Sequence, residues 1–400
     1  MIARPAASDR TTSERIHYLD WLKVLIVYGI FVYHVALVFV VATWLVSNQQ
    51  RIPALSVFVA FCFPWGIPAM FMISGADAWF GLRRHSAADF VWKRVLRLVV
   101  PLIAGLILLS PFQRFVTSQN PPPPLSAFPD FYVRFFRTFR FEADPGFISK
   151  YWLHLWFLGY LFAISVACLP LLVWLRGAGG RSFVADLIRL ANFRGGLFLM
   201  ALPLFLAQLV LRPAFPAYQD WADVATYVFV FGAGAIFFSD RGFEAAIVRD
   251  IRSIVIAGVL AVFGLTVVFS YVNYNLGAIS HLTLPEQVAF SLFWTLDVWM
   301  WNLAVLYVGI RWLNRSSRTL RYTNESVLPF YVIHHPVVLT LASFIVTWQL
   351  GLWPKFFLIV ILAYAITLAI YELGVRRWSL MRTAFGLGPM HPMQPALSSA

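Results

Sequence analysis

Three side chains in the first long apolar run carry chemistry that hydrocarbon does not hold cheaply: Asp20, Lys23 and His34. At 100° per residue, the eleven steps from Lys23 to His34 return to within about 20° of the same face, and the fourteen from Asp20 to within about 40°. A carboxylate, an ammonium and an imidazole therefore share one stripe of a helix. The rise from Lys23 to His34 is roughly 16 Å, about half of a hydrocarbon core some 30 Å thick. Ionisable groups at that depth usually face a cavity that uses them. A neutral imidazole there can accept a proton as a general base. The plainer alternative is a ring that only hydrogen-bonds a neighbouring helix.

Other titratable groups fall at comparable depth. His334 and His335 stand in Tyr331-Val332-Ile333-His334-His335-Pro336, about 15 Å beyond Glu325, level with His34. Neighbouring helical positions diverge by about 100°, so one of the two is expected to face a cavity and the other to bond between helices. Pro336 removes a backbone donor and should loosen the helix there. His154, between Trp152 and Trp156, reads either as an anchored polar residue near the far-side interface or as a contact for an acceptor. Asp297, about 16 Å from Glu286, can orient a histidine or form an ion pair. Asp77 is expected to pair with a nearby arginine.

Arg94 and Arg97 form an i, i+3 pair beside Arg83, Arg84 and Lys93. Such a cluster can grip phosphate oxygens, and cytoplasmic topology alone also predicts cations here. No phosphate-cradling glycine loop, zinc-binding helix motif or serine nucleophile motif accompanies it. Cys62 and Cys168 both fall in apolar runs, so neither a disulfide nor a metal framework is implied.

The elements that must position these groups are membrane helices. Of 400 residues, 60% are hydrophobic and 12% charged, which is too apolar for a soluble core. Ten spans are expected, near 22–46, 54–80, 95–112, 151–175, 196–211, 223–239, 253–272, 287–310, 327–348 and 356–375. With ten crossings and a cytoplasmic N-terminus, 23 of the 31 Lys and Arg residues fall on the inner side and the C-terminus returns there. The net charge of +13 then follows from topology and calls for no nucleic acid. The first run is too long for a cleaved signal core and should remain as a helix.

The fold class expected is thus an all-α polytopic membrane bundle in the inner, cytoplasmic membrane. One membrane domain covers 17–376, between cytoplasmic tails at 1–16 and 377–400; the first 16 residues and the stretch after about Arg382 should be mobile. A far-side loop is expected over 113–150. It opens on Pro121 to Pro124 and then repeats arginine among aromatics from Phe131 to Arg140, as a short helix lying in the interface would. That helix serves either as an anchor or as a lid whose Arg134, Arg137, Arg140 and Lys150 draw in an anionic substrate.

Taken in order, Tyr18-Leu19-Asp20-Trp21-Leu22-Lys23 with His34, Phe71-Met72-Ile73-Ser74-Gly75, Lys93-Arg94-Val95-Leu96-Arg97 with Pro101, His154-Leu155-Trp156-Phe157-Leu158 and Tyr331-Val332-Ile333-His334-His335-Pro336 resemble the acyltransferase-3 family of membrane acyltransferases, and within it the glucan biosynthesis branch. The resemblance spans about residues 15–376. It implies transfer of an acyl group from cytoplasmic acyl-CoA to a hydroxyl of a carbohydrate or other envelope molecule, with acetyl and succinyl as natural donors and no tightly bound cofactor. It marks His34 as the catalytic histidine and Arg94 and Arg97 as CoA-phosphate contacts. Lys23 stands where the family usually has arginine; it keeps the charge and loses the bidentate fork.

The catalytic candidates are therefore His34, His335, Asp20 and Asp297. Lys23, Arg94 and Arg97 are the donor-binding candidates, and His154 and His334 the substrate-binding ones. In the expected reaction, pantetheine rises along the first helix, His34 deprotonates the hydroxyl, and His335 or another donor steadies the oxyanion. The rival class is a proton-coupled exporter of a small anionic or lipid-linked molecule, which midplane histidines also suit. Against it, no two halves show matching interrupted helices.

Overall fold

The computed structural model describes residues 16–40, 44–119, 122–138, 151–272 and 276–388. Among these residues every regular element is a helix, with no strand. The first helix, α1, runs His17–Leu37. Next come α2 (Pro53–Cys62) and α3 (Gly66–Arg84), which together make one long apolar element. A second begins with α4 (Ala87–Arg94), widens into a π-helical turn at Val95–Val99, and continues as α5 (Val100–Leu108) and α6 (Ser110–Val116). α7 (Phe128–Arg137) is amphipathic and buries none of its side chains.

In the second half, α8 (Trp156–Ala167) and α9 (Leu169–Leu175) meet at a 47° bend beside Pro170. They are followed by α10 (Ala178–Asn192), α11 (Leu202–Leu211) and α12 (Trp221–Phe237). Four long helices complete the bundle: α13 (Gly242–Tyr271), α14 (Leu284–Val308), α15 (Arg318–Ile345) and α16 (Leu352–Ile370).

The expected count of ten crossings is not reproduced by length and composition. Seven helices among the described residues are long and apolar enough to span a bilayer, or eight when the bent α8–α9 pair is taken as one. Two of the expected spans exist only as shorter apolar helices, Gly196–Leu211 and Trp221–Phe237.

Two crossings fix the frame around the site. α3 and α12 pack backbone to backbone: a Cβ on Gly75 would collide with the carbonyl of Phe231, and one on Gly234 with the carbonyl of Met72. Reciprocal small residues let membrane helices approach this closely, which accounts for the Ser74-Gly75 of the sequence pattern. α1 packs along α15, edge-on ring contacts joining Phe31 to Phe330 at 5.5 Å.

Two boundaries differ from expectation. α1 stops at Leu37 rather than near residue 46, because the chain turns back: the carbonyls of Val38 and Phe39 accept from Asn48 N and Ile52 N, at 2.8 and 2.9 Å. The loop expected over 113–150 begins after Val116 rather than at Gln113, α6 carrying the helix one turn further. Before the stretch expected to be mobile, a short helix at Ser379–Ala384 sets Arg382 on Glu325 at 3.2 Å. Residues 1–15 and 389–400, and with them most of the two tails, lie outside the described residues, as do Arg140 and Lys150 of the arginine loop.

Candidate active site

Four imidazoles converge between α1, α15 and the turn that leads into α8. His34 Nδ1 lies 2.9 Å from His334 Nε2, and His334 Nδ1 lies 3.1 Å from the carbonyl of Phe330. A carbonyl can only accept, so His334 carries its proton on Nδ1 and offers a lone pair at Nε2. His34 must then donate from Nδ1, which leaves its Nε2 with a free lone pair. The hydrogen bonds thus set both tautomers and present the nitrogen that a general base requires.

His335 stands at 4.8 Å from the ring of His34, edge to face, and stacks on His154 at 4.4 Å. Both members of the His334–His335 pair therefore reach His34, while neither is among the residues lining the adjacent cavity. The reason is that the His34 ring enters from the opposite helix and meets the two diverging side chains on different edges. His335 Nδ1 bonds Gln113 Oε1 at 2.5 Å, so its Nε2 is an acceptor in this arrangement and not the oxyanion donor expected of it. Tyr33 and Tyr218, which line the adjacent cavity, bring hydroxyls that can serve instead.

His154 belongs to this cluster. Pro336 has no N–H to give the carbonyl of Val332, one turn earlier on α15, and His154 Nε2 donates to that carbonyl at 3.1 Å. Tyr331 in turn donates to the backbone carbonyl of His154. Leu153, at a φ of 48°, makes the sharp turn that aims His154 inward, a backbone state rare for a branched residue and concentrated at functional sites. Trp44, on the returning chain after α1, lies parallel to the His34 ring at 6.0 Å.

A cavity of about 420 Å³ reaches this cluster along α1. Leu22, Leu25, Ile26, Gly29, Ile30 and Tyr33 form its α1 wall at helical spacing, and His34 ends it. By helical rise it covers roughly 18 Å. At its other end sits a charged cluster: Lys23 Nζ lies 2.7 Å from Asp77 and 3.4 Å from Asp20. Asp77 thus pairs with the lysine rather than with an arginine. Arg94 donates to the carbonyl of Ser74 at 3.4 Å and has Asp77 and Arg97 as charged neighbours. Arg97, in the π-helical turn, is exposed.

Two of the carboxylates expected near the chemistry are elsewhere. Asp20 lies fourteen residues from His34 on the same helix, roughly 21 Å away, and holds Lys23. Asp297 is fully buried on α14, its oxygens without a hydrogen-bond partner among the described residues, and its neighbours are Trp301 and Cys62 rather than an imidazole. Among the described residues no group of His, Cys, Asp or Glu is arranged to hold a metal ion. Sequence reasoning passed over Gln113 and Trp44, and also a buried ion pair of Arg212 with Asp223 that sits under the indole of Trp294 at 5.0 Å. The only signal for Gln113 and Arg212 was a polar residue near the end of an apolar run.

Residues 16–372 match the model of the acyltransferase-3 domain. The chain belongs to the acyltransferase-3 family. Among curated proteins, this acyltransferase is similar to the glucans biosynthesis protein C of Escherichia coli O157:H7 and of Escherichia coli K12. Each is 23% identical over 378 residues, covering 91% of this chain and 92% of the relative. No solved structure matches it. The histidine cluster and the charged residues Lys23, Arg94 and Arg97 all fall inside the matched domain, so this membrane acyltransferase carries them within its family core.

Proposed function

We propose that this acyltransferase moves an acyl group from acyl-CoA on the inner side of the cytoplasmic membrane to a hydroxyl of a carbohydrate or other envelope molecule reaching the site from the far side. The observation that carries the reading is the cavity that runs from Leu22, next in the chain to Lys23 of the charged cluster, to the open nitrogen of His34. Its length suits the pantetheine arm of CoA, with the phosphates left at the arginines.

Once the thioester carbonyl lies beside His34, the acceptor hydroxyl gives its proton to Nε2 and its oxygen attacks the carbonyl carbon. The C–S bond breaks as the tetrahedral adduct collapses to the ester, and the CoA sulfur leaves with the proton that His34 then returns. The His334 link holds the ring at the angle this exchange needs and spreads the imidazolium charge towards the carbonyl of Phe330. Asp20 and Asp77 hold Lys23 in an ion-pair cluster, so Arg94 and Arg97 carry the phosphates in this reading. A second cavity, of about 640 Å³, lies under α7 among Arg114, Arg134, Thr117, Ser118 and Gln119, and suits the approach of a polyhydroxylated acceptor.

Purified protein in vesicles, given acyl-CoA labelled in the acyl group, should release CoA and label an envelope glycan or lipid. Solute flux across the vesicle with no CoA consumed would replace this reading with an exporter.

A further inference from the structure

The buried ion pair of Arg212 and Asp223 lies outside the wall of the α1 cavity, yet it governs a residue inside it. Asp223, on α12, gives one oxygen to Arg212 and the other to the backbone N–H of Gln219, at 2.8 Å for the latter. On α8, Tyr160 donates its hydroxyl to the Gln219 carbonyl at 2.8 Å. Gln208, on α11, accepts from Arg212 Nε at 3.1 Å and donates to the Ala222 carbonyl and to Thr226 at 2.7 and 2.9 Å. Groups from three helices thus hold the backbone of one residue on both sides. Gln219 stands at a φ of 68°, a left-handed state that a non-glycine residue keeps only where its surroundings over-determine it.

What this turn delivers is Tyr218. Its ring lies 5.4 Å from Phe63 and 5.9 Å from Trp156, two residues beyond His154, and it lines the cavity together with Tyr33, His34, His154 and Tyr331. The base is on α1, and Tyr218 comes from a different element. That separation lets the base meet the attacking hydroxyl while a donor meets the carbonyl oxygen. His335 is spent as an acceptor there, and Tyr33, next to His34 on one helix, points about 100° away from it. A phenol keeps its proton at neutral pH and donates it in a hydrogen bond.

We infer that Tyr218 donates the hydrogen bond that stabilises the oxyanion formed from the thioester carbonyl, and that Asp223, Arg212 and Tyr160 are positioning residues acting through it. The phenol keeps its proton throughout. This deepens the acyl-transfer reading and rests on it.

The test uses the full-length protein in vesicles with acetyl- and succinyl-CoA as donors and total envelope extract as acceptor, read as CoA release, with acyl-CoA affinity measured separately by equilibrium binding. Tyr218→Phe retains the ring and its packing, and should lower kcat by about 10²- to 10³-fold at unchanged acyl-CoA affinity, the weight of one oxyanion donor. Tyr160→Phe should cost about tenfold in the wild-type background and nothing further in the Tyr218→Phe background, as for groups that act as one unit. Losses that multiply in the double variant would make Tyr160 a structural residue only and overturn the positioning role. Tyr218→Phe turning over at the wild-type rate, a loss confined to KM or to acyl-CoA affinity, or a larger loss in Tyr33→Phe overturns the oxyanion role while transfer by the wild type still stands. A wild type that releases no CoA from either donor removes the transfer reading and this inference together.

Discussion

At the scale of single residues, the central fact is that His34 has one nitrogen committed and one open, and that its commitment is to another imidazole rather than to a carboxylate. Replacing His34 with alanine should reduce acyl transfer by about 10²- to 10⁴-fold, the usual weight of a general base, with insertion and protein level unchanged. Normal transfer by that variant would remove His34 from the chemistry. His334→Ala tests the positioning role: kcat should fall about tenfold or more at unchanged acyl-CoA affinity, and His334→Gln, which retains an acceptor, should recover part of the loss. Equal loss in both variants would mean that His334 only fills space. Lys23 calls for a different expectation. Held by two carboxylates, Lys23→Ala should lower thermal stability by about 1 kcal/mol and change CoA affinity less than Arg97→Ala does. His34 was legible because it breaks an apolar stripe. Gln113 was not, because the loop was expected to begin at that residue, and only the extra turn of α6 buries it against His335.

At the scale of elements, Pro336 shows how a helix defect can build a site. From sequence it reads as a loosened wall, since nothing local says what the freed Val332 carbonyl meets. The structure supplies His154, 178 residues away in the chain, and that one bond ties the start of α8 to α15. Pro336→Ala restores an N–H able to close the helical bond to Val332. His154 then loses its acceptor to a local competitor. The expected outcome is paradoxical for a stability mutation: a rise in thermal stability of about 1–3 kcal/mol together with a marked fall in transfer, read by unfolding and by CoA release on the same preparation. Retained activity with raised stability would mean that the His154 bond is incidental. The end of α1 was misjudged for a related reason. Val38 to Val40 continue the apolar run, and only the pairing of Val38 and Phe39 with the chain at 48–52 turns it back and sets Trp44 beside His34.

At the scale of the whole molecule, the topology turns on whether the two short apolar helices cross. Gly196–Leu211 and Trp221–Phe237 are roughly 24 and 25 Å long by helical rise, short of a 30 Å core, which is why a length criterion leaves them out. Packing argues the other way. α12 lies against α3 along the glycine crossing at Gly75 and Gly234, inside the bundle, where a helix need not match lipid thickness. Charge agrees: Arg176, Arg181, Arg189 and Arg194 precede the pair, Arg241, Arg249 and Arg252 follow it, and the connection over 212–220 holds Arg212 alone. Arg212 is moreover neutralised inside the protein by Asp223. The positive-inside rule then puts residue 216 on the side opposite to residue 240. Alkaline phosphatase fused after residue 216 should be active, and the same reporter after residue 240 should be silent while a fluorescent fusion there lights up. Fluorescence at both positions would mean that the two helices enter and leave by one face. The bundle would then keep at most eight crossings, the bent α8–α9 pair counted as one, instead of ten.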